Sequence, residues 1–183
     1  MYAKKIGLID IGSNTIRLVI YGIDSYYDIT EITNLKTPAR LSQYLIDQTD
    51  GQRMLSEQGI SLLTETLASF HHAARVHQVD EMIIFATAAI RQSQNQAEIL
   101  QRVQEETGLT IQILSEKEEA SFGQYAISHS MSTRNMVTID IGGGSCEVTL
   151  VEDKQIVRYH SFPFGVVTLK DAFFKGRRHN DPQ

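Results

Sequence analysis

The chain has 183 residues, of which 42% are hydrophobic and 21% charged, with only three prolines, and this balance is typical of a globular protein with a sizeable core. No apolar run approaches the roughly 20 residues that cross a bilayer, and the N-terminal segment reaches an aspartate too early for a signal peptide. The net charge of −5 argues against broad nucleic-acid binding, and the single cysteine excludes an internal disulfide framework. We therefore expect a cytoplasmic protein that binds neither nucleic acid nor membrane.

The first elements are predicted to be strands. Two short apolar runs rich in β-branched residues, "KKIGLIDIG" and "TIRLVIYGI", flank the turn-forming "GSN" and predict a hairpin over residues 4–23. A third strand follows at "YYDITEITNLK". From residue 52 the apolar spacing becomes helical, which predicts an amphipathic helix over about 52–78.

Strands and helices then alternate. "EMIIFAT" predicts a compact strand, and "NQAEILQRVQEETG" predicts a helix with Asn95 as cap and Gly108 as stop. "LTIQIL" predicts another strand, after which Ser115 is expected to cap a helix that begins "EKEEASFGQYAIS".

The last part of the chain repeats the first. "NMVTIDIGGGSCEVTLVEDKQIVRYHSF" predicts three strands and a glycine turn, followed by a helix over about 165–175. The residues Ile-Asp-Ile-Gly at 9–12 recur at 139–142, an offset of 130. We expect two copies of one α/β fold, a first domain over residues 1–131 and a second over 132–183. Few residues follow the second motif, so we expect its copy to be incomplete and this chain to be much less active than the intact protein.

The two glycine turns predict anion sites. A strand, a tight glycine turn and a second strand present successive backbone N–H groups, which bind phosphate well. Asp10 and Asp140 end the strands that enter these turns, and Glu147 follows the second turn. A carboxylate beside a bound phosphate is unfavourable without a cation, so a hard ion such as Mg²⁺ is expected. The alternative interpretation is a plain hairpin with aspartate as a turn residue. The occurrence of the same motif at two places in the chain disfavours this alternative.

These motifs resemble known proteins. The paired "DIG" turns resemble the phosphate loops of the actin, sugar-kinase and heat-shock-ATPase superfamily. The resemblance implies a ribonuclease-H-like (actin-like ATPase) fold, with a mixed five-stranded sheet and flanking helices. Within that superfamily, "DIGSNTIRLVI", "ATAAIR", "EEA" and "IDIGGGSCEV" in this order resemble the exopolyphosphatase and guanosine pentaphosphate phosphohydrolase family over residues 6–174.

The family resemblance implies a function. It implies a metal-dependent phosphohydrolase that releases terminal orthophosphate from inorganic polyphosphate, with Mg²⁺ or Mn²⁺ as cofactor. Guanosine pentaphosphate, hydrolysed to the tetraphosphate, is a second candidate substrate, and a homodimer associated through exposed sheet is a candidate assembly. The alternatives are a non-catalytic binder or sensor of polyphosphate or guanosine tetraphosphate and, further off, a sugar or acetate kinase.

The resemblance also assigns site residues to a cleft between the two domains. Glu119 matches the catalytic base that activates the attacking water. Asp140 and Glu147 match divalent-metal ligands, with Asp10 as a further candidate ligand. The matching phosphate-contacting positions are Gly12, Ser13, Asn14, Thr15, Arg17, Arg91, Gly142, Gly143, Gly144 and Ser145.

Some positions depart from the family's pattern. Glu116 stands where glycine is common, and the acidic run that results marks either like-charge crowding at the site or the preference of acids for a helix N-terminus. Thr168 stands where a basic residue is common, so one anion contact is expected to be missing. Cys146 is expected to be a packing residue rather than a reactive thiol. Residues 154–183 carry six basic side chains against two acids, either as a solvated helix end and tail or as a basic lip for a polyanion.

Overall fold

The structure is a computed structural model that describes residues 2–49, 51–130 and 132–174. By their contacts the residues divide into two units, Met1–Ser115 and Glu116–Gln183. The predicted domain boundary after residue 131 stays a prediction. Three of the basic residues considered for a polyanion lip lie outside the described residues, namely Lys175, Arg177 and Arg178.

The first unit is built on a five-stranded mixed sheet, as predicted. The strands of this unit are β1 (Lys4–Ile11), β2 (Ile16–Ile23), β3 (Ile29–Thr37), β4 (Leu45–Asp47), β5 (Arg53–Leu55), β6 (Glu81–Ala86) and β7 (Gln112–Ile113). Its helices are α1 (Glu57–Val76), α2 (Ala88–Arg91), α3 (Gln96–Thr107) and a 3₁₀ helix at Leu41–Tyr44. The sheet order is β3-β2-β1-β6-β7, in which β1 is antiparallel to β2 and parallel to β6, while β4 and β5 form a separate pair. The short elements β4, β5 and α2 were not predicted.

One face of the β1–β2 hairpin forms the core of the first unit. Ile9 and Ile11 of β1 are fully buried, as is Leu18, which pairs with Ile9. Leu63 and Leu67, one turn apart on α1, belong to the same buried cluster. Burying each such side chain stabilises the fold by about 1.5–3 kcal/mol. The core packing therefore holds the hairpin, and with it the turn at its end, in a fixed position.

The helix α1 begins later than the predicted start at residue 52, and that prediction was wrong. The segment before it instead forms β5, which pairs with β4. The Asn95 side chain also makes two hydrogen bonds to the backbone of Leu55. It accepts one from the N–H at 2.9 Å and donates the other to the C=O at 3.0 Å. The helix starts only after Ser56, whose hydroxyl accepts the N–H of Gly59.

The helix α3 has the predicted ends. Asn95 occupies the N-cap position, but its side chain makes no capping hydrogen bond because it is engaged with Leu55. Gly108 ends the helix with a φ of 70°, a left-handed conformation that glycine adopts without cost. The next strand, predicted at "LTIQIL", is shorter than expected, because only Gln112–Ile113 pair with β6.

The second unit confirms the predicted repeat of three strands. Its strands are β8 (Met136–Ile141), β9 (Cys146–Glu152) and β10 (Gln155–Phe162), and its helices are α4 (Glu116–Ser130) and α5 (Val166–Phe174). The antiparallel order β10-β9-β8 repeats the order β3-β2-β1. Cys146 is buried, as expected of a packing residue. Among the described helices of both units, none is long and apolar enough to span a bilayer.

Candidate active site

The first corner, residues 12–15, is a tight turn between β1 and β2. Its first N–H donates to its last C=O at 3.1 Å. The chain that follows β3 holds it from outside, since the N–H groups of Arg40 and Ser42 donate to the C=O groups of Asn14 (2.8 Å) and Ser13 (3.0 Å). The turn is therefore fixed through its carbonyl groups.

The predicted phosphate-contacting arginines of the first unit are both anchored to protein groups. Arg17 lies directly opposite Asp10 in the β1–β2 register, and its Nε donates to Oδ1 of Asn34 at 2.9 Å. Arg91 ends α2, and its Nη1 donates to the C=O of Leu114 at 3.1 Å. These contacts position both guanidinium groups. Their role toward phosphate stays a prediction.

The second corner, residues 142–145, has the same construction. The N–H of Gly142 donates to the C=O of Ser145 at 2.9 Å, which closes the turn. The start of α5 holds this corner, because the N–H groups of Val166 and Val167 donate to the C=O groups of Gly142 and Gly143, each at 3.0 Å. Both corners are thus fixed by backbone donors from the segment after the third strand.

Gly165 makes this contact between α5 and the second corner possible. A β-carbon at this position would lie 2.3 Å from the carbonyl oxygen of Gly142 and 2.6 Å from the carbonyl carbon of Gly143. The N–H of Gly165 donates to Oγ1 of Thr168 at 2.8 Å. Thr168, where the resemblance predicts a missing anion contact, therefore has a local role in the turn that leads into α5. Sequence reasoning missed Gly165, since its requirement comes from a loop some 20 residues away.

The predicted catalytic and metal-binding carboxylates of the second unit line one cavity of about 330 Å³. Asp140 of β8 and Glu147 of β9 lie directly opposite each other, and Glu119 comes from α4. Glu147 is only 5% exposed and accepts a hydrogen bond of 2.9 Å from the hydroxyl of Ser161 on β10. Two further cavity residues, Thr138 and Thr149, form the next cross-strand pair on the same face of the sheet and were not predicted.

The carboxylates of the cavity were predicted to bind a divalent ion, and that role stays a prediction. Among the described residues, no group of three or more His, Cys, Asp or Glu side chains is arranged to hold a metal. Mg²⁺ in phosphoryl-transfer sites needs only one or two carboxylates, because water and phosphate oxygens complete its shell. The opposed pair of Asp140 and Glu147 offers that number of carboxylates. Asp10 lies in the first unit.

The two corners differ in charge at equivalent positions. Asp10 faces Arg17 across the first hairpin, whereas Asp140 faces Glu147 across the second. The second pair lies 130 residues after the first, which is the offset of the repeat. Like charges directly opposite each other on paired strands are unfavourable, while opposite charges are favourable. A bound cation would therefore relieve more charge repulsion at the second corner than at the first.

The fold places the chain in a known class. The five-stranded mixed sheet, the flanking helices and the repeated three-stranded motif define the actin-like ATPase fold, which confirms the predicted fold class. The PilM component of a type IV pilus biogenesis complex with PilN shows the breadth of this fold, since that structure matches with a TM-score of 0.61 at only 12% identity.

Within that class, the model of the Ppx/GppA phosphatase family matches residues 19–182, and the chain belongs to this family. It is 29% identical over 167 residues to exopolyphosphatase 1 of Mycobacterium tuberculosis, covering 90% of this chain and 47% of that protein. A crystal structure of an exopolyphosphatase from Cytophaga hutchinsonii matches with a TM-score of 0.81 and 26% identity, over 93% of this chain and 54% of that one. The Ppx/GppA family member of Aquifex aeolicus matches with a TM-score of 0.74 and 27% identity, over 94% and 55% of the two chains. The chain spans about half the length of the curated relatives that it matches.

Proposed function

We propose that the whole protein is a metal-dependent phosphohydrolase that releases terminal orthophosphate from inorganic polyphosphate. The observation that carries the proposal is the cavity of the second unit, where Glu119 joins the opposed carboxylates Asp140 and Glu147. Membership of the Ppx/GppA phosphatase family and the names of the exopolyphosphatase relatives support the same reaction. Guanosine pentaphosphate is the second substrate that we propose.

In the proposed reaction Glu119 acts as the general base. Its carboxylate takes a proton from a water molecule, whose oxygen attacks the terminal phosphorus, and the bond from that phosphorus to the bridging oxygen breaks. The products are orthophosphate and a polyphosphate that is one unit shorter. The helix α4 holds Glu119 half-buried at the cavity wall, which positions the base and limits its solvation.

The two corners bind the anionic substrate in this proposal. Backbone N–H groups and the hydroxyl groups of Ser13, Thr15 and Ser145 donate to phosphate oxygens, and Arg17 and Arg91 supply positive charge. Asp140 and Glu147 would hold Mg²⁺ or Mn²⁺, with Asp10 as a further proposed ligand, and the bound ion would neutralise charge on the reacting phosphate.

The test is an assay of phosphate release by the whole protein. Long-chain polyphosphate and guanosine pentaphosphate are incubated separately, first with EDTA and then with Mg²⁺ or Mn²⁺ restored. We expect orthophosphate to appear from polyphosphate only when a divalent ion is present. Substrate binding without any release above the blank would contradict the proposal and identify a binder or sensor, while phosphorylation by ATP without polyphosphate hydrolysis would identify a kinase.

A further inference from the structure

The third strand of the first unit carries two polar residues beside Arg17 that no sequence motif marks. Lys36 of β3 lies directly opposite Arg17 of β2 in the sheet register. Asn34 is two residues away from Lys36 on the same strand. Residues that are directly opposed in an antiparallel pair, or two apart on one strand, project from the same face of a sheet. Arg17, Asn34 and Lys36 therefore share one face, at the end of the strands where the first corner lies.

Asn34 fixes the guanidinium group of Arg17 through one of its nitrogen atoms. Oδ1 of Asn34 accepts from Nε of Arg17 at 2.9 Å, and Nδ2 of Asn34 donates to Oε1 of Glu31 at 3.2 Å. The bond to Glu31 orients the amide, so that its oxygen points to Arg17. Among the described residues, no acceptor binds the two Nη groups of Arg17. The guanidinium group is thus held at Nε while its Nη groups keep the donors that pair with phosphate oxygens.

Lys36 places a second cation beside Arg17. The β-carbons of directly opposed residues lie about 4.5–5.5 Å apart, and like charges at that spacing are unfavourable. Lys36 is exposed, and among the described residues no carboxylate forms an ion pair with it. Asp10 faces Arg17 from the other side, so the row Asp10, Arg17 and Lys36 carries a net charge of +1. A phosphate group bound between the two cations would relieve their repulsion.

The second unit has the same arrangement of support. Its equivalent row consists of Asp140, Glu147 and Ser161 on β8, β9 and β10. The hydroxyl of Ser161 on the third strand donates to the carboxylate of Glu147 on the second strand at 2.9 Å. In both units the third strand therefore holds the charged residue of the second strand, through Asn34 in one and Ser161 in the other.

A structural role is the alternative interpretation of Lys36. The strand β3 is an edge of the five-stranded sheet, and lysines on edge strands discourage pairing with another chain. A lysine anywhere along β3 would serve that role. The position of Lys36 directly opposite another cation, in the row next to the first corner, favours anion binding instead.

We propose that β3 completes the anion site of the first corner. Lys36 binds a phosphate group together with Arg17, and Asn34 is the positioning residue of Arg17. The phosphate oxygens accept from the Nη groups of Arg17 and from the ammonium group of Lys36. The inference rests on the proposed binding of a phosphate chain at the first corner, and it adds two residues to that site.

The test of Lys36 is a calorimetric titration of the 183-residue chain with inorganic tripolyphosphate in the presence of EDTA. Lys36→Ala should weaken binding at least five-fold and make it less dependent on salt, because part of the charge attraction is lost. Lys36→Arg keeps the charge and should bind within about two-fold of the unchanged chain. Combining Lys36→Ala with Thr30→Lys restores an edge lysine about 20 Å away along β3 and should not recover the affinity.

Asn34 is tested through its dependence on Arg17. Asn34→Ala should weaken tripolyphosphate binding about three-fold in the unchanged chain and have no further effect in Arg17→Ala, because a positioning residue acts only through its partner. A contribution to stability alone would give the same loss in both backgrounds.

Several outcomes would overturn the proposal. They are the absence of tripolyphosphate binding at millimolar concentration, unchanged affinity in Lys36→Ala, and full recovery of affinity with Thr30→Lys. Unchanged affinity in Asn34→Ala, or an equal loss in the Arg17→Ala background, would overturn the positioning role. These titrations follow binding alone. A failure of the proposed function is seen separately, as the absence of phosphate release from polyphosphate by the whole protein.

Discussion

At the scale of single residues, the second corner depends on a close backbone approach at Gly165. The atoms that an added β-carbon would meet belong to the backbone of the corner itself, so they cannot move aside as a flexible side chain can. We expect Gly165→Ala to lower the free energy of unfolding of the second unit by about 1–3 kcal/mol, the usual cost of overpacking. Urea titration of the variant and the unchanged chain measures this.

A matched glycine provides the control for that prediction. Gly123 lies within α4, and a β-carbon there would meet no atom within 4 Å. Gly123→Ala should therefore raise the stability, by up to about 1 kcal/mol from helix propensity. If Gly165→Ala were as stable as Gly123→Ala, the close approach of α5 to the second corner would be wrong.

A second prediction at this scale concerns the buried carboxylate of Glu147. Its hydrogen bond from Ser161 is made in an almost fully buried position, where a bond to a charged group contributes about 1.5–3 kcal/mol. Ser161→Ala should destabilise the second unit by about that amount and reduce the affinity of the whole protein for Mn²⁺, measured by electron paramagnetic resonance. Ser130→Ala, which removes an exposed hydroxyl bonded to its own helix, is the control. Equal stability of the two variants would argue against the buried hydrogen bond.

At the scale of secondary-structure elements, the facing carboxylates on strands β8 and β9 lead us to predict that phosphate release requires a metal ion. Asp140→Asn removes one of two facing carboxylates, and we expect the Mg²⁺ concentration for half-maximal phosphate release to rise at least ten-fold. Glu152→Gln, an exposed change at the far end of β9, should leave that concentration unchanged. An unchanged Mg²⁺ requirement in Asp140→Asn would contradict the metal assignment. Asp10→Asn, measured in parallel, shows whether the first corner contributes to the same ion.

The elements that local sequence determines were predictable. Both hairpins follow from β-branched runs that flank a glycine turn, and the end of α3 follows from Gly108. The predicted start of α1 was wrong because two contacts hold the preceding segment extended. β5 pairs with the nearby short strand β4, and the Asn95 side chain, 40 residues away in the chain, holds Leu55. Helical spacing of apolar residues cannot reveal a competing strand pair of three residues on each side.

The residues of the candidate site also divide into those that local sequence predicts and those that only the folded structure brings together. Asp140 and Glu147 flank a recognisable turn, and their pairing follows from the two-residue period of a hairpin. Ser161, Thr138 and Thr149 carry no local motif. The register of three strands brings Ser161 to Glu147 and places Thr138 and Thr149 in the same cavity. Gly165 matters only because α5 returns to the second corner.

At the scale of the whole molecule, the two copies of the repeated motif differ in the burial of equivalent residues. Ile9 and Ile11 are fully buried in the first unit, while Ile139 and Ile141 at the equivalent positions are 63% and 57% exposed. The strand β8 that carries them is an edge of its sheet, and an apolar edge strand promotes association. We expect the 183-residue chain to self-associate with rising concentration, in line with the predicted homodimer.

Sedimentation velocity checks this expectation. Ile139→Lys should shift the association to higher concentration, because a charge on an edge strand disfavours pairing. Val76→Lys places the same charge at an exposed apolar position on α1 and should have no effect. A chain that remains monomeric at every concentration, or that associates equally in both variants, would contradict association through β8.

The most direct test of the whole account is the effect of Glu119→Gln on the whole protein, measured as the rate of orthophosphate release from polyphosphate with saturating Mg²⁺. Glu118→Gln is the matched control, because this neighbour on α4 is exposed and does not line the carboxylate cavity. We predict that Glu119→Gln reduces the rate about 100-fold or more while polyphosphate binding persists, as expected for loss of a general base. A near-normal rate in Glu119→Gln, or an equal loss in Glu118→Gln, would contradict the assignment of Glu119 as the catalytic base.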